Sequence, residues 1–275
     1  MVIIMNYYKY DIEKLKDKNS FIKNASLYYN KFVFKELVVL NNKITSKSFK
    51  KSLKEIRERY KDVLISIIKN LFESSKSGSD SLQEIINSLR KIRENFINSL
   101  KQRYIILSYT LEVKTPFLIG AGIPSIDEIG FYWLRNYGIP VIPGTSIKGC
   151  FKSCLLDVLK DYLEEIFGTE DKMGKVIFLD AIPLGEICLG IDFQTPHFQK
   201  YYIDNKPPND VYNPVPLSFL HVSKGRFRLD ILIDKDEGNI ADKIKNHIKI
   251  FLEEYGVGAK TSMGYGRFKI INQNS

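Results

Sequence analysis

Apolar residues recur at helical spacing from about Ser48 to Phe72, at Leu53, Ile56, Tyr60, Val63, Leu64, Ile67, Ile68 and Leu71. Residues 73–80, Glu-Ser-Ser-Lys-Ser-Gly-Ser-Asp, break that stripe with loop formers. Ser81 and Glu84 then have the spacing of a capping box, and a second stripe follows at Leu82, Ile85, Ile86, Leu89, Ile92, Phe96 and Leu100. Two amphipathic helices joined by a short linker predict an antiparallel helical hairpin. Upstream, residues 1–45 are rich in aromatics and show no clear period.

The period changes at Tyr104. Ile105 to Val113 alternates as a strand does, and residues 115–122 end it in a turn. A short extended piece at 138–143 leads into Gly144-Thr145-Ser146-Ile147-Lys148-Gly149, which opens a helix with Thr145 or Ser146 as N-cap. The buried stripe of that helix is Ile147, Cys150, Phe151, Cys154, Leu155, Val158 and Tyr162. Val176–Ile182 reads as a strand, and residues 186–220 are extended and punctuated by prolines. Leu217–Val222 and Arg226–Ile233 read as a hairpin about Ser223-Lys224-Gly225. A helix over Asn239–Tyr255 points Ile240, Ile244, Ile248, Phe251, Leu252 and Tyr255 inward, with Gly256 just past its end. A last strand covers Arg267–Ile271. Strand, helix, strands, helix, strand is the split βαβ order of a ferredoxin-like fold, the arrangement of RRM domains, which carry RNA on the sheet face. The expected class is α+β. Residues 1–103 form a helical, basic N-terminal region packed on the core, and residues 104–275 form the ferredoxin-like domain.

One stretch stands outside this pattern: Gly256-Val257-Gly258-Ala259-Lys260-Thr261-Ser262-Met263-Gly264-Tyr265-Gly266-Arg267-Phe268. Glycines open the backbone to positive φ and to close approach, and successive amides in such a loop can form an anion site. Lys260 and Arg267 supply charge, Thr261 and Ser262 hydroxyls, and Tyr265 a ring that either stacks on a base or packs against the sheet. Two readings stand, a loop that receives a phosphate backbone and a tight turn from the last helix to the last strand. A nucleoside-triphosphate loop is excluded, because Ala259 precedes Lys260 and a helix leads in where a strand is required. A second anion surface is read at the start of the helix that Gly144 opens, where free amides lie beside Ser146, Lys148 and Lys152, and an ordinary capped helix with solvated lysines is the other reading.

Charge sharpens the picture. The net charge of +9 is unevenly spread. Residues 1–105 hold 22 Lys/Arg against 11 Asp/Glu, whereas residues 106–275 hold 19 against 21. A basic N-terminal third suits an anionic partner such as nucleic acid, and equally a lysine-rich solvated face. No apolar run approaches the ~20 residues of a membrane helix, and the start has no basic leader, so a cytoplasmic protein is expected. Cys150, Cys154 and Cys188 make neither a disulfide framework nor a zinc site, and Asp180 and Asp192 are too scattered for a metal pair. No metal and no cofactor are expected. Of three histidines, His247 reads as surface and His221 as structural. His197, near Lys200, Tyr201 and Tyr202, is the one candidate for metal-independent RNA cleavage, and otherwise reads as a structural or RNA-contacting side chain.

Residues 139–149, Ile-Pro-Val-Ile-Pro-Gly-Thr-Ser-Ile-Lys-Gly, and the glycine stretch 256–268 resemble the helix-opening motif and the C-terminal glycine-rich loop of RAMP proteins, the repeat-associated RNA-binding superfamily of CRISPR systems. Residues 176–183, 195–202 and 213–217 are similar to the Cmr branch of that superfamily, found in type III-B effectors. The likeness is strongest over 139–268 and weak before residue 104. It implies a non-catalytic subunit in antiviral defence that binds the 3′ part of CRISPR RNA and its target RNA. It also implies contact with other Cmr subunits, namely the backbone subunit and the neighbouring 3′-end RAMP subunit. The RNA-binding residues expected on this basis are Gly256, Gly258, Lys260, Thr261, Ser262, Gly264, Tyr265, Gly266, Arg267, Ser146, Lys148, Lys152 and His197, with metal-independent RNA cleavage by His197 as the alternative.

Overall fold

The computed structural model describes residues 79–125, 129–195, 201–202, 205–208 and 216–274, together with position 65. The aromatic stretch 1–45 and, apart from that one position, the expected helix at 48–72 lie outside the described residues. In chain order the elements are α1 (Ser79–Leu100), β1 (Tyr104–Val113), β2 (Trp133–Leu134), β3 (Ile139–Pro140), α2 (Gly144–Leu155), α3 (Leu163–Phe167), β4 (Val176–Phe178), β5 (Ile182–Gln194), β6 (Leu217–Asp234), α4 (Gly238–Ile250) and β7 (Phe268–Asn274).

The main sheet runs β4-β6-β1-β7, with β5 also paired to β6 and every pairing antiparallel. Counting β4 and β5 as one interrupted strand, this is the order of the split βαβ, with β6 lying between β1 and its helix-linked partner. Alternation in β1 turns Leu107, Tyr109 and Leu111 to one face, where they register against Ile231, Leu229 and Phe227 of β6. Helices α2 and α4 cover that face. Phe151 of α2 is fully buried, and its ring lies 5.9 Å from Phe178, 6.2 Å from Phe167 and 4.9 Å from Phe251, the residue after α4. Each such ring pair adds about 0.5–1.5 kcal/mol beyond simple burial.

The opposite face carries Ser108 and Asp230 in register, and α1 lies against it. Asp230 is fully buried. It accepts from Ser108 Oγ at 2.6 Å, Arg228 Nε at 2.9 Å and Arg93 Nη1 of α1 at 3.2 Å. Arg93 Nη2 also donates to the Asp180 carbonyl at 3.0 Å. Beyond this cluster Leu82 and Leu89 pack on Ile139, Val141 and Ile182 in a second small core.

Several elements depart from expectation. Helix α1 already covers Ser81, so that residue lies within the helix and is not its cap. Ile92 and Phe96 are exposed, because the side facing the sheet is set by Ile86, Arg93 and Ile97. Leu217–Asp234 is one strand, and Ser223-Lys224-Gly225 is no hairpin turn. Cys188 pairs with Lys224 and Leu189 with Val222, which leaves Ser223 as the extra residue of a bulge, its hydroxyl on the Cys188 carbonyl at 3.1 Å. Val158 and Tyr255 are exposed, since α2 stops at Leu155 and α4 loosens into a π turn over Phe251–Tyr255.

Candidate nucleic-acid interface

The glycine stretch leaves the π turn, crosses under residues 116–119 and returns as β7. Gly256 N–H closes the π turn on the Phe251 carbonyl at 2.7 Å. Val257 N–H bonds the Gly266 carbonyl, Ala259 N–H the Leu118 carbonyl and Gly266 N–H the Pro116 carbonyl, each at 2.8 to 2.9 Å. A Cβ on Gly266 would overlap the Val257 carbonyl, so the two legs of the loop run too close for any side chain there. Between the legs, Lys260 takes a left-handed φ of 61° and starts a single 3₁₀ turn, Thr261–Met263, which Gly264 ends at φ 90°. Met263, Gly264 and Tyr265 donate their amides to carbonyls of Lys260 and Thr261 within the turn.

This geometry revises the amide cradle expected from the glycines. The amides of Gly256, Gly264 and Gly266 are spent on the main-chain carbonyls of Phe251, Thr261 and Pro116. The tip itself, Ser262, Met263 and Gly264, is exposed, with Lys260, Thr261 and Tyr265 half-buried beside it. The Arg267 guanidinium turns back into the loop. It donates to the carbonyls of Tyr255, of Thr261 at 3.1 Å and of Tyr265 at 3.3 Å.

Below the tip lies the end of the β5–β6 ribbon. Its register pairs Gly190 with His221, Asp192 with Phe219 and Gln194 with Leu217, all on one face. The Tyr265 hydroxyl donates to Asp192 Oδ2, and its ring packs 6.3 Å from Phe219 and 6.2 Å from His221. Tyr265 is therefore seated on the ribbon, and its ring is not a free stacking platform. Lys260 Nζ lies 4.7 Å from the Phe219 ring centre and donates to Gln194 Oε1 at 2.6 Å. Burial pushes the Lys260 pKa below the usual lysine range, and Asp192 opposes that shift. The Tyr265 hydrogen bond holds the Asp192 carboxyl below the ordinary carboxylate value. Sequence reasoning weighed Asp192 only as a metal ligand and passed over Gln194. The alternation of Gly190, Asp192 and Gln194 along one strand face was the signal available for both.

The second expected anion surface is also altered. Helix α2 begins at Gly144 after Pro143, so Thr145 and Ser146 stand in its first turn and neither is the N-cap. The Gly144 amide already donates to Asp180 Oδ1 at 2.8 Å, and the positive end of the helix faces a carboxylate. Lys148 borders a shallow cavity of about 190 Å³ shared with Gly144, Thr145 and β4, and Lys152 is exposed one turn on. His197 lies outside the described residues. His221 is buried, with its pKa pushed below 6.5 by that burial, and His247 Nδ1 bonds the Lys243 carbonyl within α4. His221 therefore presents no free imidazole to a substrate. Among the described residues, no three His, Cys, Asp or Glu side chains gather as a metal site.

A family model described as the RAMP superfamily matches residues 110–269. Over 320 residues the chain is 27% identical to a Pyrococcus furiosus protein named CRISPR system Cmr subunit Cmr6, spanning 89% of this chain and 94% of that one. A Saccharolobus solfataricus protein of the same name is 27% identical over 265 residues, spanning 94% and 84%. In fold, the chain matches one in the cryo-electron-microscopy structure of the type III-B Cmr-beta bound to cognate target RNA. That match has a TM-score of 0.69 at 23% identity and covers 96% of both chains.

Proposed function

Because the chain belongs to the RAMP superfamily, whose model spans residues 110–269, we propose that it is a non-catalytic RNA-binding subunit of a type III-B CRISPR interference complex. The observation that carries this reading is similarity to two proteins named Cmr6 along nearly the whole chain. Its partners are CRISPR RNA, the target RNA paired to it near the guide's 3′ part, and neighbouring Cmr subunits, in the cytoplasm. No helix among the described residues is long and apolar enough to cross a membrane.

The RNA surface is the exposed tip of the glycine loop. Lys260 meets a phosphate, and Thr261 and Ser262 supply hydroxyls. Lys148 and Lys152 add charge on α2, and Gly264, where a Cβ would meet nothing within 4 Å, keeps the backbone free of side chains where the strand passes, whereas Gly258 makes room for the Leu118 carbonyl. Binding of this kind follows the backbone and does not read sequence. Co-purification tests the whole proposal, because the chain should bring down other Cmr subunits and a guide RNA of discrete length. A chain that purifies with neither would overturn it. At the site, Lys260→Ala lowers guide affinity and reduces the slope of log affinity against log salt by about one.

A further inference from the structure

Arg267 has the residue type of a phosphate contact and the surroundings of a fastener. Its guanidinium points away from the exposed tip and reaches three main-chain carbonyls from both ends of the loop, those of Tyr255, Thr261 and Tyr265. Its own amide is held by Thr115 Oγ1 at 3.0 Å, and its carbonyl accepts from Lys114 and Thr115 at the end of β1. The residue is therefore fixed to the sheet from below while its side chain ties the turn from within. Room for the side chain is made by Gly256, where any Cβ would overlap Arg267 Nη1. That glycine and that arginine form one device. A planar, forked donor can bridge carbonyls lying in different directions, whereas a lysine offers a single point of charge.

We propose that Arg267 is a positioning residue that holds the 261–264 turn in shape for RNA, and that it makes no phosphate contact itself. This rests on the reading of the loop tip as the RNA surface. Losing the fork leaves three carbonyls without their charged donor and frees the turn that carries Thr261 and Ser262.

The test compares Arg267→Lys, Arg267→Ala and Lys260→Ala in the assembled effector, reading guide-RNA affinity across a salt series. Amide hydrogen exchange at Met263, Gly264 and Tyr265 is followed in the same samples. The expected result is that Arg267→Lys and Arg267→Ala weaken binding by equal factors, leave the salt slope unchanged and speed exchange of those three amides. Exchange in the β1–β6 pairing serves as the folding control and stays as in the parent. Lys260→Ala lowers the slope by about one and leaves exchange unaltered. If Arg267→Lys binds like the parent while Arg267→Ala loses about one unit of slope, Arg267 is a phosphate contact and the proposal fails. It fails also if neither arginine variant speeds exchange. If Lys260→Ala changes neither affinity nor slope, the reading of the tip as an RNA surface is lost. Faster exchange in both arginine variants would then still establish the fastener.

Discussion

Gly190 illustrates how tightly single residues are set beneath the loop. The His221 imidazole lies across it, and a Cβ at position 190 would overlap the ring. His221 Nδ1 has no hydrogen-bond partner among the described residues, and the ring is buried. Gly190→Ala forces ring and strand apart and should destabilise the fold by about 1–3 kcal/mol, the usual range for overpacking. Denaturant unfolding measures this, and combining it with His221→Ala should cost less than the sum of the two changes. Tyr265 gives a second prediction at this scale. Burial, then its bond to Asp192, pushes the phenol pKa up to about 12. Because the folded value is raised, the stabilisation is complete below the unfolded value of about 10 and is lost as pH climbs toward about 12. The Asp192 carboxyl is lowered, so its share is present above about pH 4 and disappears as pH falls through the folded value. The stability difference between the parent and Tyr265→Phe, followed by denaturant unfolding, should therefore be greatest between these limits and shrink beyond both.

Among elements, α1 departs most from what its apolar stripe implied. The stripe marked the helix correctly, but a buried carboxylate sets its orientation, and a lone Asp230 in a strand has no signature to separate it from a solvated one. Removing that carboxylate leaves Arg93 and Arg228 facing each other without their shared partner. Asp230→Ala is expected to cost about 3–5 kcal/mol, read from thermal or denaturant unfolding. Arg93→Ala should cost less, because Ser108 and Arg228 still serve Asp230. The bulge at Ser223 was hidden for a related reason. Ser-Lys-Gly suits a two-strand turn, and only pairing to a partner some 35 residues back shows that the strand continues. The extended excursion to β5 was legible as extended chain and not as half of a ribbon. In the loop, glycine and lysine marked the position of the proposed site, while the direction of each amide and of Arg267 depends on carbonyls from Pro116, Leu118 and Tyr255, which no local pattern brings together.

At the scale of the whole molecule the split βαβ order was readable from the alternation of periods, and the sheet order bears it out. The sheet face that RRM domains offer to RNA is here partly occupied by α1 through the Arg93–Asp230 pair. This shifts the proposed RNA surface to the loop end of the β5–β6 ribbon. The sheet order has a consequence for synthesis as well. Each pairing of the main sheet, β1 with β6, β1 with β7, β4 with β6 and β5 with β6, joins a strand before residue 195 to one after residue 216. As the chain leaves the ribosome, β1, β4 and β5 all emerge before any of their partners exists. A nascent chain stopped short of Leu217 holds three strands with open edges and should be cleaved readily by protease, whereas one extended past Asn274 and clear of the exit tunnel should resist. The sheet closes late, when β6 arrives to take its place between strands made long before it and β7 then pairs with the remaining edge of β1.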